Sequence, residues 1–193
     1  MSTDIIAIIL AYLFGSISSA ILVCRMMGLP DPRTEGSRNP GATNVLRIGG
    51  KKAAALTLLG DALKGTIPIL IAKYVGLSEL TLALVAFAAF FGHLLPIFFR
   101  FEGGKGVATL LGCLLALSWP TALIWAMIWV FIVIIFRYVS LASIIASLFA
   151  PILIYNFTEE PAYVIALIAM DILLVYRHRT NITNLIHGKE KKI

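Results

Sequence analysis

The residues with the clearest chemical potential are Phe101-Glu102-Gly103-Gly104-Lys105-Gly106-Val107-Ala108-Thr109. The three glycines leave backbone N–H groups unobstructed, so several can turn toward one ligand. The apolar run that follows reads as a helix, whose first amides and positive dipole end also favour an anion. Lys105 adds a full charge. The combination suits phosphate. It differs from a nucleotide-binding loop, because no Ser or Thr follows the lysine and the glycine spacing is wrong. The plain alternative is a turn between two membrane helices.

Three further stretches carry polar groups. Gly36-Ser37-Arg38-Asn39-Pro40-Gly41-Ala42-Thr43-Asn44-Val45-Leu46-Arg47 is rich in turn formers and side-chain donors, and Arg47 offers a planar fork for phosphate. Its plain alternative is a loop whose Asn and Ser groups satisfy its own backbone. Arg137-Tyr138-Val139-Ser140-Leu141-Ala142-Ser143 puts Ser140 at a helix cap and Ser143 where it can face the same site; hydrogen bonding between helices is the alternative. In Tyr176-Arg177-His178-Arg179-Thr180-Asn181, His178 and Asn181 are three apart and share a helix face. Arg177 and Arg179 read as topology anchors. A histidine at this level serves as acid, base or anion ligand. His93, in Gly92-His93-Leu94-Leu95-Pro96, reads as structural. Asp61 and Lys64 read as a mutually neutralising pair set apart from these motifs, and Asp171 has no evident partner. No His-x4-Asp pair occurs, and no cluster has metal-ligand spacing, so no metal site is expected.

The elements that position these groups follow from composition. Of 193 residues, 60% are hydrophobic and 13% charged, with mean hydropathy +0.94. No soluble domain hides that much apolar surface, so an all-α, polytopic integral membrane protein is expected, a single membrane domain over 1–193. The opening Met1-Ser2-Thr3-Asp4 is acidic where a secretory signal is basic, which favours a retained helix. Seven candidate spans are read at 4–26, 52–74, 79–99, 105–118, 120–136, 139–157 and 161–178; the fourth is short, and a break is expected at Trp119-Pro120. Gly15, Ser16, Ser18, Ser19 and Ala20 suit close helix packing. Cys24 and Cys113 show no disulfide or zinc pattern.

The net charge of +6 follows membrane topology rather than a nucleic-acid face. With the N-terminus outside and the C-terminus cytoplasmic, nearly every Lys and Arg falls in or beside the inner segments, including the loops at about 27–51 and 100–106. Lys73 lies on the other side, and Lys64 lies within a span. The chemical stretches then share one face. A transporter needs polar groups at mid-depth and on both sides, so a small-anion transporter is the secondary reading behind an interfacial enzyme.

These stretches, in this order, resemble the bacterial PlsY family, the acyl-phosphate:glycerol-3-phosphate acyltransferases. The matching pieces are GSISSA (15–20), GS-x-NPGATNVLR (36–47), GHLLPIFF (92–99), GGKGVAT (103–109), RYVSLAS (137–143) and YRHRTNI (176–182). They run through essentially the whole chain. Arg38 stands where the family usually has glycine, and Glu102 where lysine is common. The resemblance implies a seven-helix enzyme of the bacterial inner membrane whose active site faces the cytosol. It would move a long acyl chain from acyl phosphate to the 1-hydroxyl of glycerol 3-phosphate, giving lysophosphatidic acid and phosphate. No metal or other cofactor is implied. The implied partners are the two substrates, membrane lipid and a peripheral phosphate acyltransferase that makes the donor. By matching position, Lys105 and the amides of Gly103, Gly104 and Gly106 hold phosphate. Ser37, Asn44 and Arg47 line the site from the first loop. Ser143, His178 and Asn181 complete it. His178, Ser37 and a substrate phosphate oxygen are the alternatives for taking the hydroxyl proton.

Overall fold

The structure, a computed structural model, describes residues 2–193. All its regular elements among these residues are helical. They are α1 (Ser2–Gly15), α2 (Ser19–Met26), α3 (Ala42–Tyr74), α4 (Glu79–Leu94), a 3-10 turn (Ile97–Phe99), α5 (Val107–Leu117), α6 (Trp119–Phe136), α7 (Val139–Thr158), α8 (Pro161–Arg177) and α9 (Arg179–Ile186).

Each of the seven expected segments forms helix, but not seven uninterrupted spans. Four stretches are long and apolar enough to cross a membrane: Ala42–Tyr74, Glu79–Phe99, Trp119–Phe136 and Val139–Thr158. Two more arise if bent pairs count as one span each: α1 with α2, at 42°, and α8 with α9, at 58°. The 11 residues of α5 extend about 16 Å, half the hydrocarbon thickness. Ser118 forms the boundary between α5 and α6, one residue before the expected break, and Pro120 sits in the first turn of α6, where its missing N–H costs nothing. Gly50, at φ 77°, kinks α3, so the first inner loop is helical over much of 42–49 rather than open to residue 51.

Small residues let the helices approach. A Cβ at Gly15 would lie 2.1 Å from the Ala89 carbonyl oxygen, and one at Gly112 would lie 2.0 Å from that of Ala62. These contacts join α1 to α4 and α5 to α3 backbone to backbone, as small residues do in membranes. The outward faces carry exposed Ile5, Ile9, Leu59, Phe131, Ile134 and Ile165, the surface a lipid environment covers. Lys73, the lysine off the basic face, donates to the Ala116 and Leu117 carbonyls at 2.6 and 3.2 Å. It thereby satisfies the otherwise unpaired carbonyls at the C-terminus of α5.

Candidate active site

The glycine loop is packed, not slack. Gly103 and Gly104 are buried beneath the end of α4. A Cβ at Gly103 would stand 2.1 Å from the His93 carbonyl oxygen, and one at Gly104 would stand 2.3 Å from His93 Nε2. The Gly104 amide donates to the His93 carbonyl at 3.2 Å. Arg177 closes the loop from the other side: its Nε donates to the Gly104 carbonyl at 3.1 Å, and its Nη2 donates to that of Gly103. Gly106, at φ 92°, turns the chain into α5, whose first amides have no intrahelical acceptor.

Lys105 projects from this loop to α9, where its ammonium donates to Asn181 Oδ1. Asn181 Nδ2 donates to Glu190 Oε1 at 2.7 Å, and Ser140 Oγ donates to the same oxygen at 2.6 Å. One carboxylate therefore ties the tail to α7 and α9 and orients the amide that meets Lys105. Burial pushes the Lys105 pKa below the ordinary lysine value of 10.5; Glu190 opposes that shift, while Arg177 and Arg47 add to it. A partly buried cation among cations suits an incoming anion. His178 is 3% exposed, and its Nδ1 lies 2.8 Å from the Leu174 carbonyl. A carbonyl only accepts, so the proton sits on Nδ1 and Nε2 keeps the free lone pair.

Beside the loop, a cavity of about 340 Å³ is lined by Arg33, Arg38, Pro40, Phe101, Glu102, Gly103 and Arg177. Arg33 spans two carboxylates, with Nη2 2.7 Å from Asp31 Oδ2 and Nη1 2.9 Å from Glu102 Oε2. Glu102 thus clips the first loop to the glycine loop and spends its charge on Arg33. No salt bridge to Arg38 or Arg177 occurs among the described residues. The cavity is cationic at an edge that carries exposed Phe98 and Phe101.

The family profile described as glycerol-3-phosphate acyltransferase matches residues 5–188. The chain belongs to the glycerol-3-phosphate acyltransferase family. The protein of that name from Methylococcus capsulatus is 51% identical over 193 residues, covering 100% of this chain and 98% of its own length. One from Neisseria gonorrhoeae is 52% identical over 194 residues, covering 98% of this chain and 97% of its own. Two crystal structures of PlsY (YgiH), an integral membrane glycerol 3-phosphate acyltransferase, share the fold. Its glycerol 3-phosphate form superposes with TM-score 0.94 at 41% identity, covering 99% of this chain and 96% of that one. Its lysophosphatidic acid form gives 0.92 at 40%, covering 99% and 95%.

For a member of the acyltransferase family, the expected residues divide clearly. Lys105, Asn181 and the glycine loop form one cluster with His178 beside it, since the Lys105 charge is felt at His178. Ser37 is exposed, and its hydroxyl has no hydrogen-bond partner among the described residues. Arg47, also exposed, is near enough to act on Lys105. Asn44 plays another part. It is 1% exposed; its Oδ1 accepts the Ser37 amide at 2.8 Å, and its Nδ2 donates to the Pro32 and Glu35 carbonyls. Both its donors are used, so it braces the first loop. Ser143 accepts from Trp129 Nε1 at 3.1 Å and donates to the Val139 carbonyl at 2.8 Å, joining α6 to α7. The Gly104 amide is occupied as well. Ser140 is not a cap: Tyr138 holds that position, and the Ser140 hydroxyl reaches Glu190.

Sequence reasoning missed Glu190 and the grip of Arg177 on the glycine-loop carbonyls. The signal for Glu190 was present: it is the single acid in the basic stretch after Asp171. Glu190→Ala leaves two donors without an acceptor and is expected to lower kcat/KM about tenfold, whereas Glu190→Gln keeps a carbonyl oxygen and most of the rate. Arg38 also has a physical account. Its φ is 57°, the left-handed region where glycine is at ease, which is why glycine suits this position. Arg38→Gly is therefore expected to gain about 1 kcal/mol of stability, read as a higher Tm, while removing one cation from the cavity.

Proposed function

We propose that the protein transfers a long-chain acyl group from acyl phosphate to the 1-hydroxyl of glycerol 3-phosphate, yielding lysophosphatidic acid and inorganic phosphate. The observation that carries this is the packed glycine loop that bears Lys105 and borders an arginine-lined cavity. Both substrates bear phosphate, and the loop lies beside exposed apolar surface suited to the acyl tail. Family membership supplies the acyl acceptor.

The hydroxyl oxygen attacks the acyl carbonyl carbon. A C–O ester bond forms, the anhydride C–O bond breaks, and phosphate leaves with the bonding pair. Acyl phosphate is already activated, so no enzyme nucleophile is needed; orientation and charge neutralisation supply the rate. Lys105, held by Asn181, faces phosphate. The hydroxyl proton goes to His178 Nε2 or to a substrate phosphate oxygen. His178→Ala separates these: turnover lost with both substrates still bound assigns the proton to His178, and turnover kept assigns it to phosphate.

In this reading the chain is a single membrane domain of the bacterial inner membrane, crossing seven times with the N-terminus outside and the site facing the cytosol. A peripheral phosphate acyltransferase supplies the donor, and no cofactor takes part. Glycerol 3-phosphate carrying 18O at the 1-hydroxyl tests the bond chemistry. The label should appear in the lysophosphatidic ester and not in phosphate. Free fatty acid together with glycerol bisphosphate would instead mean phosphoryl transfer and would sink the proposal.

Because phosphate is held by the ammonium form of Lys105, activity is expected to fall on the alkaline side with a midpoint below 10.5. The sign follows from burial: the site favours loss of the proton, and loss of the proton removes the charge. Lys105→Arg should carry that alkaline limb upward, since a guanidinium stays charged. A pH–rate profile of the two proteins checks this.

A further inference from the structure

The glycine loop is held by Arg177 and by the end of α4. Arg177 grips the Gly103 and Gly104 carbonyls from the polar side. Beneath the loop lies a group with no part in the chemistry above: Asp61 and Lys64 of α3 with His93 of α4. These residues are 2%, 4% and 6% exposed. Lys64 Nζ stands 2.9 Å from Asp61 Oδ1 and donates to the Ile17 carbonyl at 2.8 Å. Ile17 lies in the break between α1 and α2, where helical bonding lapses and a carbonyl needs another donor.

His93 links this pair to the loop. Its Nδ1 is 3.7 Å from Asp61 Oδ1, with no hydrogen-bond partner among the described residues. Its Nε2 faces Gly104, 2.3 Å from where a Cβ would stand there. Its carbonyl accepts the Gly104 amide at 3.2 Å. The imidazole is thus a spacer, with the buried ion pair at one edge and the glycine loop at the other. Two charges inside an apolar bundle cost more to desolvate than they return, and apolar residues of the same volume would pack as well. Stability alone does not account for placing them under the loop that carries Lys105.

We propose that Asp61, Lys64 and His93 are positioning residues that set the height of the glycine loop, and with it the reach of Lys105 to Asn181. Asp61 stands against one edge of the ring, Lys64 ties Asp61 to the broken first span, and the other edge of the ring packs on Gly104. This extends the acyl-transfer reading, but one arm of its test is independent of it.

Three proteins are compared with wild type in detergent: His93→Leu, His93→Asn, and the double variant Asp61→Asn with Lys64→Met, which removes both charges at similar volume. The first readout is the acetylation rate of Lys105 by acetic anhydride, measured by peptide mass spectrometry on the folded fraction. Exposed Lys51 of the same molecule is the internal standard. In His93→Leu and the double variant, the Lys105/Lys51 ratio is expected to rise about tenfold, with KM for glycerol 3-phosphate rising by about as much and kcat changing less. His93→Asn keeps a polar group near the Nδ1 position, beside Asp61, and should recover part of both effects. The double variant should keep a Tm near wild type.

A Lys105/Lys51 ratio unchanged in all three folded variants overturns the proposal, whatever happens to Tm. A raised ratio with unchanged KM supports the loop-setting role and counts instead against Lys105 as a phosphate ligand. Labelling needs no turnover, so failure of the acyl-transfer reading leaves this test intact.

Discussion

Lys105→Met is expected to lower kcat/KM for glycerol 3-phosphate about a thousandfold, from a loss of ~4 kcal/mol. It should do so without lowering Tm. The two halves have one cause. Lys105 is partly buried, with Arg177 and Arg47 near enough to oppose its charge. Burial, with those two arginines and against the opposing pull of Glu190, disfavours the ammonium, and a neutral chain of similar length removes that cost. In the proposed reaction, substrate phosphate reverses the balance by giving the cation its counter-ion at a partly buried position. A residue whose removal abolishes rate while sparing stability is there for the ligand. Steady-state kinetics and a thermal melt on the same preparation check both halves. A thousandfold loss accompanied by a large fall in Tm would instead make Lys105 a structural strut for α9.

Gly103→Ala is expected to reduce activity by about a hundredfold and stability by about 3 kcal/mol. The new methyl would stand 2.1 Å from the His93 carbonyl oxygen and 2.4 Å from that of Leu94. Both obstacles are backbone at the end of a helix, so no side chain can swing aside. The loop must lift, and lifting it stretches the Arg177 bonds and moves Lys105 away from Asn181. The effect should fall first on KM for the phosphate substrates. Kinetics at several glycerol 3-phosphate concentrations separate this from a simple loss of folded protein, which would lower the apparent kcat at fixed KM.

Much of the scaffold was legible because a bilayer imposes one strong rule: long apolar runs become helices and basic residues gather on one face. The seven segments followed from that. The interruptions did not. Hydropathy does not mark the break at 16–18, where Lys64 donates to the Ile17 carbonyl; at Gly50 and His178 it marks where apolar runs start and stop but not that helix continues on both sides of a bend. Helical spacing placed His178 and Asn181 on one level, but the contact of Asn181 with Lys105 is 76 residues away and no periodicity encodes it. Ser140 and Ser143 are both small hydroxyls within one turn of α7, and which one turns toward Glu190 depends on how the tail packs. Asn44 looked like a donor for substrate because composition counts donors and not their partners; its amide is consumed by Pro32 and Glu35. The Asp61–Lys64 pair was read correctly as a pair. Its distance from the motifs was misjudged, because His93 carries it to the foot of the glycine loop.

The most direct test of the account is a stoichiometric assay of the purified protein, in lipid or detergent, with palmitoyl phosphate and glycerol 3-phosphate in metal-free buffer. Lysophosphatidic acid and inorganic phosphate are measured together, with Lys105→Met alongside. The account predicts the two products in equal amounts from the wild type and neither above background from the variant. Folded wild type that makes no lysophosphatidic acid, yet carries phosphate into liposomes, would contradict it and leave the cationic loop as the vestibule of a transporter.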